Sequence, residues 1–587
     1  LEDILIVQES SEDINDIISP MDDPMMPADE MIEIVRKYAL QNAVLYGGKA
    51  SSKAVMGKVM AEMPELRSKA RELMPLVDAM VSEINSLPPA EQRSTLERLD
   101  PSLLSRSRSE RVSLLPELPG AKEGQVVMRF APGPSGPLHI GHTRVAVLND
   151  EYVKRYKGTF INRIEDTNPE KIDPAAYEMI PEDLEWLEVE VHRTVIQSSR
   201  FELYYSVARQ LLEMGKAYVC RCDAEEWRSL KEQSIACPHR SRPIEEHLEN
   251  FDRMLDGGFS EGEAVVVIKT DLNHPNPAIR DFVGLRIVDS IPHPKTGDRY
   301  AVYPMMNLSV AVDDHLLGLT HVLRGKDHLN NTLRQEYIFK HLGWEMPWYY
   351  HYGLVSVLDT ILKTSLIREG IAKGEYTGWD DVRLGTIRAM RRRGISPKAI
   401  RRYWIDCGMK DVDIQFSWDT LWALNRDIID PAANRYAFVW EPVELPIEGV
   451  DSLDSKAPLH PDEPGRGYRR HSLEAPIRVF VTSEDMERLR KVRRIRLKDL
   501  CNVEFADGKA RYIGNDLSLL KEGVGIIHWV PSDGIPARVL MTDGSLKEGL
   551  AERLPLEEEG RVVQFERFGF ARVERVSPDL VAVFAHT

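Results

Sequence analysis

Residues 129–144 read RFAPGPSGPLHIGHTR, and this stretch leaves few folds open to the chain. Val126, Val127 and Met128 lead into it as a short, largely β-branched apolar run that predicts a buried strand. Pro132, Gly133, Pro134, Gly136 and Pro137 break the strand into a loop. From about His139 the spacing turns helical, with Ile140, Val145, Val147 and Leu148 on the expected buried side. A strand, a Gly/Pro loop and a helix start make a phosphate seat, because unpaired backbone N–H groups and the helix dipole face an anion there. His139 and His142 flank Gly141, which lets a ligand approach the backbone closely. Both imidazoles can donate hydrogen bonds to a phosphate whose charge grows in a transition state.

The 587 residues are too many for one core, and three to five domains are expected. No apolar run approaches membrane-spanning length and no signal peptide is evident, so the cytoplasm is the expected location and no membrane partner is expected. Five unevenly spaced cysteines do not form a disulfide framework; Cys407 and Cys501 stand alone and read as core. The net charge of −17 disfavours a nucleic-acid binder only weakly, since phosphate contact needs a local basic face. Two such stretches occur, at 388–402 and 488–498 (RLRKVRRIRLK). They read as RNA contacts, or else as solvated faces.

Residues 1–35 are acidic, lack Lys and Arg, and contain Pro20, Pro24 and Pro27; a mobile leader is expected. Residues 36–120 read as a helical extension and a linker. A catalytic region follows in two halves, 121–216 and 300–375, where the strand-like runs VVMRF, TFINRI, THVLRG and WYYHYG alternate with helical ones, as in a parallel doubly wound sheet. Residues 217–299 interrupt it. Residues 376–432 read as helical, and 433–587 as short strands forming barrels, with period-two runs such as RVVQFERFGFARVERV.

Cys220-x-Cys222 and Cys237-x-His239 supply four soft ligands in the interrupting segment. Zinc takes thiolates and imidazole tetrahedrally, and two short pairs across a helical excursion can close that geometry. Four protein ligands leave no open position, so the role of such a Zn2+ would be structural. The alternative is three buried small side chains and a surface histidine.

The 129–144 stretch resembles the HIGH signature of class I aminoacyl-tRNA synthetases, and its surroundings resemble the glutamyl/glutaminyl branch, closest to archaeal-type glutamyl-tRNA synthetases. The resemblance implies an α/β architecture: a Rossmann-type catalytic domain with an inserted acceptor-stem-binding domain, an N-terminal helical extension, a helical connector, and C-terminal β-barrel anticodon-binding domains. It implies that Pro134, Gly136, His139, Gly141 and His142 hold ATP, with Mg2+ accompanying it. Within RIEDTNP it places Glu165 near the substrate amino group and leaves Asp166 to support the loop, while Thr167 and Asn168 read as a helix-capping turn.

Arg129, Ala131, Met306, Asn307 and Arg324 complete the glutamate site implied by the resemblance. Met306 and Asn307 stand where the family has Tyr-Asp; methionine can fill the volume but lacks the hydroxyl. Arginine at 324 matches glutamyl enzymes, since a guanidinium fork suits a carboxylate and not a neutral amide. In ILKTSLIREGI, Lys363 and Ser365 fall on the family's second signature, but Leu366 occupies its second lysine, so Lys363 or Arg368 would have to supply the charge.

The implied activity is two-step attachment of glutamate to tRNA(Glu), with tRNA(Gln) as a further acceptor to test. His139, His142 and Lys363 would assist the chemistry, and the N-terminal helices would serve packing or a protein partner. A glutaminyl enzyme shares the β-rich C-terminus but is opposed by Arg324. A catalytically idle tRNA-binding paralogue is favoured by Met306 and Leu366 and opposed by the intact 139–142 motif.

Overall fold

A computed structural model describes residues 28–45, 48–63, 70–100, 103, 115–506, 508–577 and 579–587. Residues 1–27 of the expected leader, and most of the linker before residue 115, lie outside the described residues. The chain divides into two units, 1–112 and 113–587.

The first unit is helical: α1 (Ala28–Leu45), α2 (Ser52–Glu62), α3 (Ala70–Ser86) and α4 (Pro89–Leu99). Helix α1 begins inside the segment expected to be leader, because Met31, Val35 and Ala39 repeat at helical spacing and bury against Val59, Val77 and Met80. The buried amide of Gln92 donates to the carbonyls of Gly48, Ile84 and Leu87, satisfying carbonyls in the turn before α2 and at the end of α3.

The second unit opens with β1 (Val127–Phe130), α5 (Ile140–Arg155), β2 (Thr159–Ile164), α6 (Ala176–Trp186) and β3 (Arg193–Ile196). These strands pair in parallel in the order β1–β2–β3. Residues 115–118, expected as linker, pack on α5: Tyr152 and Arg155 donate to the carbonyls of Pro116 and Leu115.

An antiparallel sheet then interrupts, made of β4 (Ala217–Cys220), β5 (Val265–Ile268), β6 (Phe282–Ile287) and β7 (Val302–Pro304), with α7 (Ala224–Glu232) between its first two strands. Strand β7 lies beyond the boundary expected at 299, since its ladder partner is β6.

The parallel sheet resumes through α8 (Met306–Leu316), β8 (His321–Gly325), α9 (Leu329–Leu342) and β9 (Trp348–Tyr352). β8 pairs with β9 in parallel, and Thr320 N–H donates to Val127 O at 3.0 Å, stitching β8 beside β1. The resulting order is β3–β2–β1–β8–β9. The order reverses between β1 and β8, and the crevice outside the carboxyl ends of those strands is where such sheets take ligands.

α10 (Thr364–Ala372) follows, then α11 (Ile387–Arg392), α12 (Pro397–Cys407) and α13 (Trp418–Ile429). Of the segment 376–432, expected to be helical, residues 376–386 are not helix. Asp381 accepts hydrogen bonds from the Thr377 and Arg383 backbone N–H groups and pairs with the Arg383 guanidinium, a local alternative to helix. The strap so formed runs beside the 138–140 turn, with Ile140 N–H on Gly385 O at 3.0 Å and Ile387 N–H on Leu138 O at 2.9 Å. Helix α12 grips α5: the Trp404 indole donates to Thr143 Oγ1 at 2.6 Å, and Arg401 pairs with Asp150 at 2.6 Å.

Among the described residues the C-terminal region forms two seven-stranded sheets, one from strands within 442–531 except 452–474, the other from 435–440 and 535–586. Each closes on itself by the same device. Arg435–Tyr436 and Phe438–Trp440 are the two ends of one sheet order, and Ile526–Ile527 and Val530–Pro531 are the two ends of the other. A single extended run therefore bonds to both neighbours of a ring, as in a barrel. No described helix is long and apolar enough to cross a membrane.

Candidate functional site

At the β1/β8 switch point lies a cavity of ≈ 250 Å³ whose lining includes Arg129, Ala131, Glu165, Met306 and Arg324. Both arginines stand near strand ends and are buried. Arg129 donates to Leu323 O at 3.2 Å, and Arg324 donates to Gln335 Oε1 at 3.0 Å and to the Thr332 hydroxyl. Neither makes an ion pair with a carboxylate among the described residues, and the Nε of each has no partner. Burial, with the charge of Arg129 nearby, lowers the Arg324 pKa to about 10, so it stays cationic at neutral pH. Two buried cations with no carboxylate in ion-pair contact suit a ligand carboxylate.

The anion of the cavity is Glu165, held by Arg163 Nη2 at 2.9 Å. Asp166 faces away and accepts from Ser198 N–H, the Ser198 hydroxyl and the Tyr177 hydroxyl, which fixes the loop. Asn168 occupies an N-cap position without capping through its side chain; its Oδ1 accepts from Arg286 instead. Met306 lines the cavity, while Asn307 stands behind it with Oδ1 3.4 Å from Gln335 Nε2.

His142 also lines this cavity. His139 is the N-cap of α5, and the two histidines cap reciprocally: Gly141 N–H donates to His139 Nδ1 at 3.1 Å and His139 N–H to His142 Nδ1 at 3.3 Å. Their rings stack with centroids 3.6 Å apart. Burial pushes His142 down to about 4 and His139 well below its ordinary value, so both are neutral at physiological pH. With each Nδ1 accepting, the hydrogen-bond pattern assigns the proton to each Nε2, which is left as a donor. Gly141 is needed because a Cβ there would stand 3.1 Å from the His139 ring. At Gly136 a Cβ would meet Trp379 at 2.9 Å, so packing against the 378–386 strap requires glycine. Pro134 is buried in the same loop and its carbonyl accepts from Asp173 N–H at 2.8 Å.

Asp183 of α6 holds the entry to the histidine turn, accepting Leu138 N–H at 2.8 Å. Burial raises its pKa to about 7 against the help of that hydrogen bond and of Arg388. A carboxyl group raised in the folded state favours folding when protonated. Its contribution is full below the unfolded value near 4 and is lost as pH rises through 7. Asp183→Asn, which keeps an acceptor for Leu138, should therefore gain thermal stability over the wild type increasingly as pH rises through that window. A difference that does not change with pH counts against this account.

Lys363 is the N-cap residue of α10, and Lys363, Ser365 and Leu366 are exposed, Leu366 at 49 %. None of the three lines the cavity. The residues that tie this segment to the phosphate loop are Thr364, whose Oγ1 is 2.9 Å from Ser135 Oγ, and Arg368, which donates to Ser135 O at 2.6 Å. Under the two-step activity that the resemblance implies, Leu366→Lys should speed adenylate formation if a second ammonium is missing, and Lys363→Ala should slow it by a few kcal/mol at most. Unchanged exchange and charging rates for Lys363→Ala would move the loop charge to Arg368.

Cys220, Cys222, Cys237 and His239 converge, their ligand atoms all within 4.8 Å of one another. Cys237 Sγ lies 3.4 Å from Cys220 Sγ and 3.5 Å from Cys222 Sγ, and His239 presents Nδ1 to all three sulfurs. A zinc tetrahedron with bonds of about 2.3 Å has sulfur–sulfur edges of roughly 3.8 Å, so the donor set fits that ion. Helix α7, capped by Asp223, is the excursion between the two pairs. Cys501 is buried and Cys407 half-buried, as befits packing residues.

Much of the first basic stretch has partners within the chain. Arg388 pairs with Glu182, Arg392 with Glu574, Arg401 with Asp150 and Glu151, and buried Arg393 donates to Ala585 O. Arg391 and Lys398 remain exposed. In the second stretch Arg494, Arg496 and Lys498 have partners in Glu504, Asn502 and Glu566, leaving Arg488, Arg490, Lys491 and Arg493 exposed. His328 and Tyr352 of the cavity lining, and Gln335 and Thr332 behind it, escaped the sequence reading. His328 lies within the RGKDH run, which was the available signal.

A cavity of this composition at the switch point of a Rossmann sheet, beside a reciprocally capped histidine turn, agrees with what the chain matches. The family described as tRNA synthetases class I (E and Q), catalytic domain, covers residues 125–431, and its anti-codon binding domains cover 433–518 and 526–574. The chain belongs to this family of class I tRNA synthetases. It is 51% identical to a glutamate--tRNA ligase of Methanopyrus kandleri over 96% of this chain and 100% of that one. It is 49% identical to one of Thermoplasma volcanium (94% and 99%) and 47% identical to one of Pyrococcus furiosus (95% and 100%).

Proposed function

We propose that the chain is a glutamate–tRNA ligase that charges tRNA(Glu). The observation that carries this reading is the pair of buried, carboxylate-free guanidiniums, Arg129 and Arg324, facing Glu165 in one cavity beside the neutral histidine pair. An amino acid with a carboxylate at each end and one ammonium complements that set; glutamine, with a neutral amide, leaves one cation unpaired.

Arg324 takes the side-chain carboxylate, Arg129 the α-carboxylate, and Glu165 the ammonium. The α-carboxylate oxygen attacks the α-phosphorus of ATP, which arrives with Mg2+, and pyrophosphate leaves. The Nε2–H groups of His139 and His142 donate to the phosphate oxygens as charge accumulates on them. A terminal tRNA ribose hydroxyl then attacks the acyl carbon and AMP departs. Catalysis rests on positioning and on donors oriented in advance, without a covalent enzyme intermediate. Lys363 and Ser365 flank Thr364, which already touches the 132–137 loop through Ser135, and are read as the groups that meet the nucleotide from that side.

Cys220, Cys222, Cys237 and His239 would hold a structural Zn2+, which fixes the loop between β4 and α7. Exposed arginines and lysines of the two basic stretches are the candidates for RNA phosphate. The N-terminal helices carry none of this machinery and are read as a packing or protein-partner module. The enzyme is read as cytoplasmic, where its tRNA substrate is charged.

ATP–pyrophosphate exchange with tRNA present, run with glutamate and glutamine side by side, tests the reading. Glutamate-dependent exchange is expected. Exchange with glutamine alone would assign a glutaminyl enzyme, and none with either would assign an idle paralogue. Charging tRNA(Glu) and tRNA(Gln) in the same assay decides the acceptor.

A further inference from the structure

Asp314 has no exposed surface, yet it touches neither end of the cavity directly. It accepts Arg163 Nη1 at 2.6 Å and the Tyr349 hydroxyl at 2.7 Å. Each donor leads to one of the cavity's charges. The other terminal nitrogen of Arg163 donates to Glu165 at 2.9 Å. The Tyr349 ring lies under the Arg324 guanidinium, 4.3 Å from ring centroid to Cζ. One buried carboxylate thus orients the anion through an arginine and the cation through an aromatic ring.

The neighbouring Asp313 is engaged elsewhere, by Arg200, Gln197 and Tyr204. It fixes α8, the helix that also brings Met306 and Val310 to the cavity wall. Asp314 is therefore held on a rigid support, and what it fixes is the separation between Glu165 and Arg324.

The geometry points to Asp314 and Tyr349 as positioning residues that set the length of acidic amino acid the cavity accepts. This rests on the proposed function, in which Glu165 takes the ammonium and Arg324 the side-chain carboxylate. A dicarboxylic amino acid one methylene shorter cannot reach both groups at once while the Asp314 relay holds them apart. When the tyrosine hydroxyl is lost, the ring under Arg324 is no longer tethered to Asp314, and the cation is held by Gln335 and Thr332 alone, with more freedom to shift toward a shorter ligand.

Tyr349→Phe keeps the ring and removes the tether. With purified full-length protein and tRNA present, the KM for glutamate in ATP–pyrophosphate exchange should rise roughly tenfold. The KM for ATP and kcat should stay within about twofold, and the preference for glutamate over aspartate should narrow. Asp314→Asn should have the same pattern more strongly, provided circular dichroism shows it folded; Tyr349→Phe decides the matter alone if it is not. An unchanged glutamate KM in Tyr349→Phe overturns the proposal. So does a parallel fall in kcat and rise in both KM values with a lower Tm, which marks a merely structural role. If the wild type itself shows no glutamate-dependent exchange, it is the functional reading that fails.

Discussion

Replacing Arg324 by alanine should lower kcat/KM for glutamate by roughly thirty-fold to several-thousand-fold, the equivalent of about 2–5 kcal/mol. The guanidinium is buried among neutral partners, Gln335 and Thr332, and makes no ion pair with a carboxylate among the described residues. A substrate carboxylate brought against it gains a charge-assisted pair in a dry site. Without the arginine the same carboxylate is desolvated and unpaired. Glutamine has no charge to lose there, so its poor use should fall much less, and the glutamate/glutamine ratio should narrow chiefly through glutamate. Steady-state exchange with each amino acid measures this. Equal losses for both, together with a lower Tm, would make Arg324 a brace between β8 and α9.

The other large effect concerns the cysteine cluster. Protein purified without chelator should hold about one zinc per chain, and Cys222→Ala should lose it, because Cys222 Sγ stands 3.5 Å from Cys237 Sγ and 3.4 Å from His239 Nδ1 at one corner of the set. Structural zinc contributes roughly 10–16 kcal/mol of binding free energy in small zinc domains, more than this loop can supply from its few buried contacts. The segment from β4 through His239 should then lose hydrogen-exchange protection and acceptor-end contact, while β1, β2 and β8 keep theirs. Metal analysis finding no zinc in active wild-type protein would remove the site.

Much of the catalytic core was legible because its signals are local. The strands VVMRF and THVLRG are short apolar runs ended by Gly or Pro, and the arginines at 129 and 324 sit near their ends, where strand direction alone places them at the crevice. What was not legible has two causes, pairing across long stretches of chain and local bonds that compete with helix. The 388–402 run has the composition of an RNA face, but Arg401 finds Asp150 251 positions away, and nothing in its own neighbourhood announces that. The 378–386 strap has helical spacing, yet Asp381 binds the backbone that a helix would need. Asp314 could be read as part of a family-like run, but its role depends on where Arg163 of β2 and Tyr349 of β9 arrive across the sheet.

The ring closure of the two C-terminal sheets bears on how they can recognise anything. Where the sheet of 435–440 and 535–586 passes through Ala437, that residue still exchanges backbone and side-chain bonds with Glu552, Ala437 N–H to Oε2 at 3.2 Å and Glu552 N–H to Ala437 O at 3.4 Å. Among the described residues, the bonds of Ala437 thus continue the pairing across this seam, which leaves less open edge there for another chain to extend. A ligand therefore meets side chains and turns on these rings rather than hydrogen-bonding as an added strand. The same seam that shields them from edge-to-edge aggregation assigns their selectivity to loop residues, which can vary without reopening the ring.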